Sequence, residues 1–92
     1  MEQLKAQAPQ KARPLFEQLL AVQPRHAAAH HFLGVALQQQ GQLEEARRAM
    51  RRSLRLHPRQ RTWVENLAKL EASLGNNESA SALITRSQAM QP

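Results

Sequence analysis

Residues 25–58 read RHAAAHHFLGVALQQQGQLEEARRAMRRSLRLHP, and this stretch decides the fold. Apolar side chains at Phe32, Leu33, Ala36 and Leu37 follow helical spacing, and Gly41 comes where a left-handed C-cap belongs, which predicts a first helix over 27–40. A second helix over 43–56 places Leu43, Ala46, Met50 and Leu54 on one face. Glu44 and Glu45 fall in its first turn and Arg51, Arg52 and Arg55 toward its end, the arrangement that suits the helix macrodipole. Pro58 then stops the pattern.

Outward from this stretch the same plan recurs. Pro24, Pro58 and Pro92 are spaced by 34 residues (58 minus 24, and 92 minus 58). So are Gly41 and Gly75, Leu33 and Leu67, and Ala12, Ala46 and Ala80. Unrelated residue types rarely share one period by chance. The following unit predicts a helix over 61–74, Gly75 as its cap, an Asn76-Asn77 turn, and a last helix opened by Glu78 and carrying Ala80, Leu83, Ile84, Ser87 and Met90. Upstream lies half a unit, a helix over 9–22 with Leu15, Phe16, Leu19 and Leu20. Pro14 lacks an N–H and crowds the carbonyl of Gln10, so this helix is expected to kink or begin there, with Pro9 as the alternative start and residues before Arg13 loosely ordered. The reading is one all-α domain of about five helices: a half repeat over 9–24 and full repeats over 25–58 and 59–92.

A helix-turn-helix unit of this length, with a small residue at Gly34 and with Gly41, Ala46, Met50 and Pro58 at their offsets, resembles the tetratricopeptide repeat family. The last unit resembles it through Leu67, Ala68, Gly75, Ala80, Ile84 and Pro92, with Trp63 one residue from the family's aromatic position, and the half unit through Ala12, Phe16 and Pro24. The resemblance spans roughly residues 9–92 and implies a right-handed superhelical array of antiparallel helix hairpins. His30 stands where an aromatic residue is usual, Glu71 where tyrosine or leucine is, and Pro14 inside an expected helix. Leu33, Gly34, Gly41, Ala46, Met50, Pro58, Leu67, Ala68, Gly75, Ala80 and Ile84 are thereby expected to pack the repeats, with Gly34, Ala46, Ala68 and Ala80 letting helix axes approach to the short end of the range of about 8 to 10 Å.

Composition excludes several classes of function. A chain of 92 residues buries only about 60 to 65% of its unfolded surface, so a large enclosed active site is not expected. There is no cysteine, hence no disulfide, thiolate nucleophile or cysteine-based zinc site. His26 and His30 lie four apart beside His31, a spacing that can share a metal ion, but no third ligand accompanies them; capping by His26 and packing by His30 are the expected roles. Ser53, Ser79, Ser81 and Ser87 have no His and Asp arranged to activate them, and there is no glycine-rich phosphate loop. No enzyme activity, cofactor or metal is expected. The opening MEQLKAQAPQKARP lacks the apolar core of a signal peptide and no apolar run approaches the roughly 20 residues that cross a bilayer, which favours a cytoplasmic location; Met1 equally suits a start within a longer chain.

The expected function is to bind a protein. The resemblance implies that first helices line a concave groove for a peptide or partner helix, here through His31, Val35, Gln38, Gln39, Thr62, Glu65, Asn66, Lys69 and Ser73. Lys69 offers a cation to a carboxylate while Glu65 disfavours acidic ligands. Of the positions that grip a chaperone's C-terminal carboxylate in one subfamily, only Asn66 matches, so that partner is not expected. The alternative is an electrostatic adaptor. The net charge is +6, and Arg47, Arg51 and Arg55 stack at four-residue spacing beside Arg48 and Arg52, a ridge able to dock nucleic acid or an anionic surface. No aromatic residues interleave with it, and Glu44 and Glu45 are placed to pair with Arg47 and Arg48. At the two ends, Leu15, Phe16, Leu19 and Leu20, and Leu83, Ile84 and Met90, lack covering helices; more of a longer chain, self-association or the partner would cover them.

The packing assignment is checked at Ala46. Substitution Ala46→Leu should cost about 1 to 3 kcal/mol by overpacking the hairpin, read as a lowered urea midpoint; an unchanged midpoint overturns the repeat alignment.

Overall fold

The computed structural model describes residues 9–90, which form five helices: α1 Pro9–Val22, α2 Ala27–Gln39, α3 Leu43–Leu56, α4 Arg61–Ser73 and α5 Asn77–Ala89. Expectations about residues 1–8, the greater part of the opening stretch, lie outside the described residues. Consecutive helices pack as hairpins, α2 with α3 and α4 with α5, while α1 lies on α2 and the two hairpins meet where α3 contacts α4.

Helix ends follow from local chemistry. At the start of α2, His26 Nδ1 accepts from the Ala29 N–H at 3.0 Å, the capping role expected of it. His30 Nε2 lies 2.9 Å from the Pro24 carbonyl, so it fastens the incoming turn. Gly41 and Gly75 adopt φ of 80° and 82°, which lets Gln42 N–H reach the Leu37 carbonyl at 2.8 Å and Asn76 N–H reach that of Glu71 at 2.9 Å. With the Gly41 to Gln38 and Gly75 to Ala72 bonds these make two Schellman motifs in the same register. Pro14 neither starts nor ends α1: the helix runs from Pro9 through it, so Pro9–Ala12, expected to be loosely ordered, are helical. Pro14 is exposed and near the helix start, where water can bond the carbonyl that its missing N–H leaves free.

The core is continuous from α1 to α5. Leu37, Ala46, Met50, Leu54, Val64, Leu67 and Leu70 are buried together, with Leu33, Trp63, Leu83 and Met90 packed on them. A smaller group, Ala12 and Ala36 with Phe16 and Phe32, ties α1 to α2, and Val35 belongs to both. A Cβ on Gly34 would lie 2.7 Å from Met50 Cγ and 3.1 Å from the Ala46 carbonyl oxygen, so α2 and α3 are as close as a bare backbone permits. Two expectations are corrected here. Ile84, expected to pack the repeats, is 48% exposed on α5. Leu83 and Met90, expected to be uncovered, instead fold back onto the core.

Two polar side chains are buried with the leucines. Glu71, where the family usually carries tyrosine or leucine, is 1% exposed, and its carboxylate accepts from Arg47 Nε at 2.9 Å, Asn76 Nδ2 at 2.8 Å and the Ser79 hydroxyl at 3.0 Å. Burial alone would push this carboxyl up, but the bonds from Asn76, Arg47 and Ser79 and the Arg47 charge outweigh it and hold the group below its ordinary value. His31, 2% exposed, stacks on Trp63 with ring centroids 4.8 Å apart and meets Asn66 Nδ2 at 3.3 Å, joining α2 to α4. Its Nδ1 is buried without a partner, and burial lowers its pKa to about 4.

Both groups make the fold acid-sensitive. An unfolded histidine titrates near 6.5 and the buried one near 4, so in that window the unfolded chain binds a proton that the fold refuses. Stability is full above this window and should fall by about 3 kcal/mol across it as pH drops. Glu71, lowered from 4.5, contributes stability above that value and loses it at lower pH still. Urea midpoints measured against pH should decline from pH 6.5 downward in the wild type and stay level to about pH 4.5 in His31→Phe; a level wild-type profile overturns the assignment.

Candidate partner-binding groove and the open end of the array

The nine side chains expected to line a groove divide in the structure. Gln39, Thr62, Lys69 and Ser73 are exposed, and Gln38, Glu65 and Asn66 are half-buried. Asn66 spends its amide on His31 and the Ser73 hydroxyl donates to the Lys69 carbonyl at 3.1 Å, within α4. Val35 packs into the core, and His31 lies under Trp63, so neither presents a free side chain to a ligand. A 34-residue period marks His31 as a first-helix position but cannot show that α4 closes over it.

The structure draws two of these residues, Glu65 and Lys69, into a recess that sequence reasoning did not find. It lies between α4 and α5, an open concavity of about 520 Å³. Arg61, Ala68 and Ala72 complete the α4 side, and Ile84, Ser87 and Gln88 form the α5 side. Arg61 Nε sits 3.4 Å from Glu65, so this cation is already engaged while Lys69 is exposed.

The origin of the recess is written in the register. Counting back 34 residues converts its lining into Ala27, His31, Gly34, Val35 and Gln38 of α2 and Met50, Ser53 and Leu54 of α3. Several of these meet α4 across the inner junction: His31 with Trp63 and Asn66, and Met50 and Leu54 in a cluster with Val64, Leu67 and Leu70. The backbone environments match closely, for Ser53 donates to the Met50 carbonyl at 2.7 Å and Ser87 to that of Ile84 at 2.8 Å. The side chains do not match. Where the inner junction has Val35 and Leu54, the end has Lys69 and Gln88, and buried Met50 is answered by exposed Ile84. A small apolar floor of Ala68, Ala72 and Ile84 is thus ringed by polar groups, a surface that can seat an apolar residue of a partner and bond its flanks. At the other end, Leu15 and Val22 of α1 are exposed.

The arginine ridge is also rearranged. Arg47 leaves it for Glu71, with Glu44 3.7 Å from its Nη1. Glu45, expected to pair with Arg48, instead approaches Arg13 of α1 at 3.7 Å. Arg48, Arg51, Arg52 and Arg55 are exposed and make no ion pair among the described residues. No group of three or more His, Asp or Glu side chains among the described residues could hold a metal, and none of their helices is long and apolar enough to cross a membrane.

Comparison with known proteins places the chain. The family model described as tetratricopeptide repeat matches residues 3–64. No curated protein sequence matches the chain. Among solved structures, MamA from Desulfovibrio magneticus RS-1, residues 41 to the end, superposes with a TM-score of 0.91 at 25% identity, over 96% of this chain and 50% of that one. A structure of MamA RS-1, the ArsTM double mutant, does so with a TM-score of 0.92 at 25% identity, over 96% and 49%. The chain spans about half the length of these structures. With its repeats, its two Schellman-capped hairpins and these matches in agreement, the chain belongs to the tetratricopeptide repeat family.

Proposed function

We propose that this protein-interaction module holds a segment of another polypeptide, a separate protein or a further domain of a longer chain, along the exposed side of α4 and into the recess between α4 and α5. The observation that carries the reading is the register equivalence: the recess repeats, 34 residues on, the surface that the inner junction buries under α4, and it is left open at Ile84. An apolar side chain of the partner covers Ala68, Ala72 and Ile84, Lys69 takes a carboxylate, and Thr62 bonds the partner's polar groups. Glu65, half-neutralised by Arg61, keeps the site from being uniformly cationic. Groove contact at Gln38, Gln39 and Ser73 extends the same face, whereas His31, Val35 and Asn66 support it from beneath. The second reading, an adaptor that docks an anionic surface through Arg47, Arg51 and Arg55, is weakened because Arg47 is held by Glu71. Self-association through the end helices belongs to this proposal as well, since Leu15, Val22 and Ile84 leave apolar surface at both ends.

Two measurements test it. In affinity capture, recovery of a partner should fall about tenfold or more with Lys69→Ala/Ile84→Glu and stay unchanged with Arg48→Gln/Arg52→Gln. Loss confined to the arginine variant and to added salt rejects the recess as the functional surface. In sedimentation, the wild type should gain mass with concentration and Leu15→Gln/Val22→Gln should not; a wild type that stays monomeric removes the self-association part.

A further inference from the structure

A second concavity lies between α3 and α5, and no residue of α2 lines it. Its floor is apolar, made by Leu54 of α3, Leu67 of α4 and Leu83 of α5. Arg51 and Arg55 stand on the α3 rim and Arg86 on the α5 rim. Glu71 and Ser79 close one end, bonded to each other at 3.0 Å. Among the described residues Arg51 and Arg55 are exposed and have no carboxylate partner, and Arg86 donates only to the Pro58 carbonyl, at 2.9 Å, so it keeps its charge and most of its donors there. Glu71 scarcely opposes these cations, because Arg47 already neutralises it and all its bonds run to Arg47, Asn76 and Ser79.

We propose that this recess is a docking point for an acidic linear peptide of a partner protein, one apolar side chain resting on Leu54, Leu67 and Leu83 while neighbouring carboxylates are clamped by Arg51, Arg55 and Arg86. Size supports a side chain: the recess holds about 250 Å³, under the roughly 300 to 1,000 Å³ of small-molecule and cofactor sites. Charge supports an acid, since three guanidiniums ring it and the chain carries +6 overall. The planar guanidinium fork matches a carboxylate with two parallel bonds. Chemistry disfavours nucleic acid. The floor is aliphatic, no aromatic side chain lines the recess, and Phe16, Phe32 and Trp63 are each engaged in ring contacts elsewhere, so no base has a platform to stack on. This surface is distinct from the recess between α4 and α5, with which it shares no residue.

The test is fluorescence anisotropy of the full chain with a labelled peptide of alternating leucine and glutamate, the same peptide with glutamine for glutamate, a labelled oligodeoxythymidine, and vesicles containing anionic phospholipid. The acidic peptide should bind more tightly than each of the other three. Arg51→Gln/Arg55→Gln should weaken it about tenfold or more, and Arg86→Gln should weaken it separately. Arg48→Gln/Arg52→Gln removes the same charge from α3 without touching the recess and should change binding less than about twofold. Equal losses in the two double variants would reduce the effect to net charge and overturn the site. Equal binding of the glutamine peptide, or tighter binding of the oligonucleotide or the vesicles, would overturn the assigned ligand. Thermal midpoints within a few degrees of wild type confirm that the exposed-arginine variants remain folded.

Discussion

The approach of α2 to α3 is the constraint on which the rest of the molecule depends. Gly34 has no side chain, Ala46 has one carbon, and Met50 lies across both, so close that a single added Cβ would sit 2.7 Å from its Cγ. Because the axes are this near, Leu33 and Leu37 on one helix and Leu43 and Leu54 on the other reach a common core that α4 then covers with Val64, Leu67 and Leu70. Interiors packed at crystal-like density transmit such contacts without slack. Displacing this hairpin would therefore move the platform on which α4, and through it both recesses, are built.

The buried polar groups show how a degenerate repeat is given one arrangement. Glu71 replaces an apolar residue of the pattern and links three pieces of chain at once: Arg47 on α3, Asn76 in the turn, and Ser79 on α5. A leucine in its place would fill the same space with no preference for any partner, whereas a carboxylate in a dry environment requires these donors in this geometry. His31 does the equivalent between repeats, stacking on Trp63 and meeting Asn66. Neither group is free for a ligand, and both are better understood as joints. The same accounting removes Arg47 from the basic ridge and leaves Arg51 and Arg55 on the rim of a leucine-floored recess.

Repetition also explains why the recess between α4 and α5 follows the surface of the inner junction. Each hairpin offers the next one a surface made by its first and second helices, and in the inner junction that surface is filled by α4. At α5 the same register is open, and its side chains have shifted from Val35, Met50 and Leu54 to Lys69, Ile84 and Gln88. The result is a mixed surface, an apolar floor of Ala68, Ala72 and Ile84 ringed by polar side chains.

The helices, their stops and their period were legible in the amino-acid sequence, because each rests on near neighbours: a glycine at positive φ after α2 and α4, a proline after α1 and after α3, apolar spacing within a turn or two. The family followed from the offsets of Gly34, Gly41, Ala46, Met50 and Pro58, and the capping role of His26 was legible beside it. Only the tertiary structure decided which first-helix residues stay accessible, that Pro14 rides within α1, that Glu71 captures Arg47, that Glu45 turns to Arg13, and that Leu83 and Met90 are covered while Ile84 is not. Apart from Pro14, these depend on groups brought together from distant positions, 24 residues apart for Arg47 and Glu71 and 35 for His31 and Asn66. A helical period states which way a side chain points, but burial and charge pairing are set by what arrives opposite it, and that is known only once the hairpins have stacked.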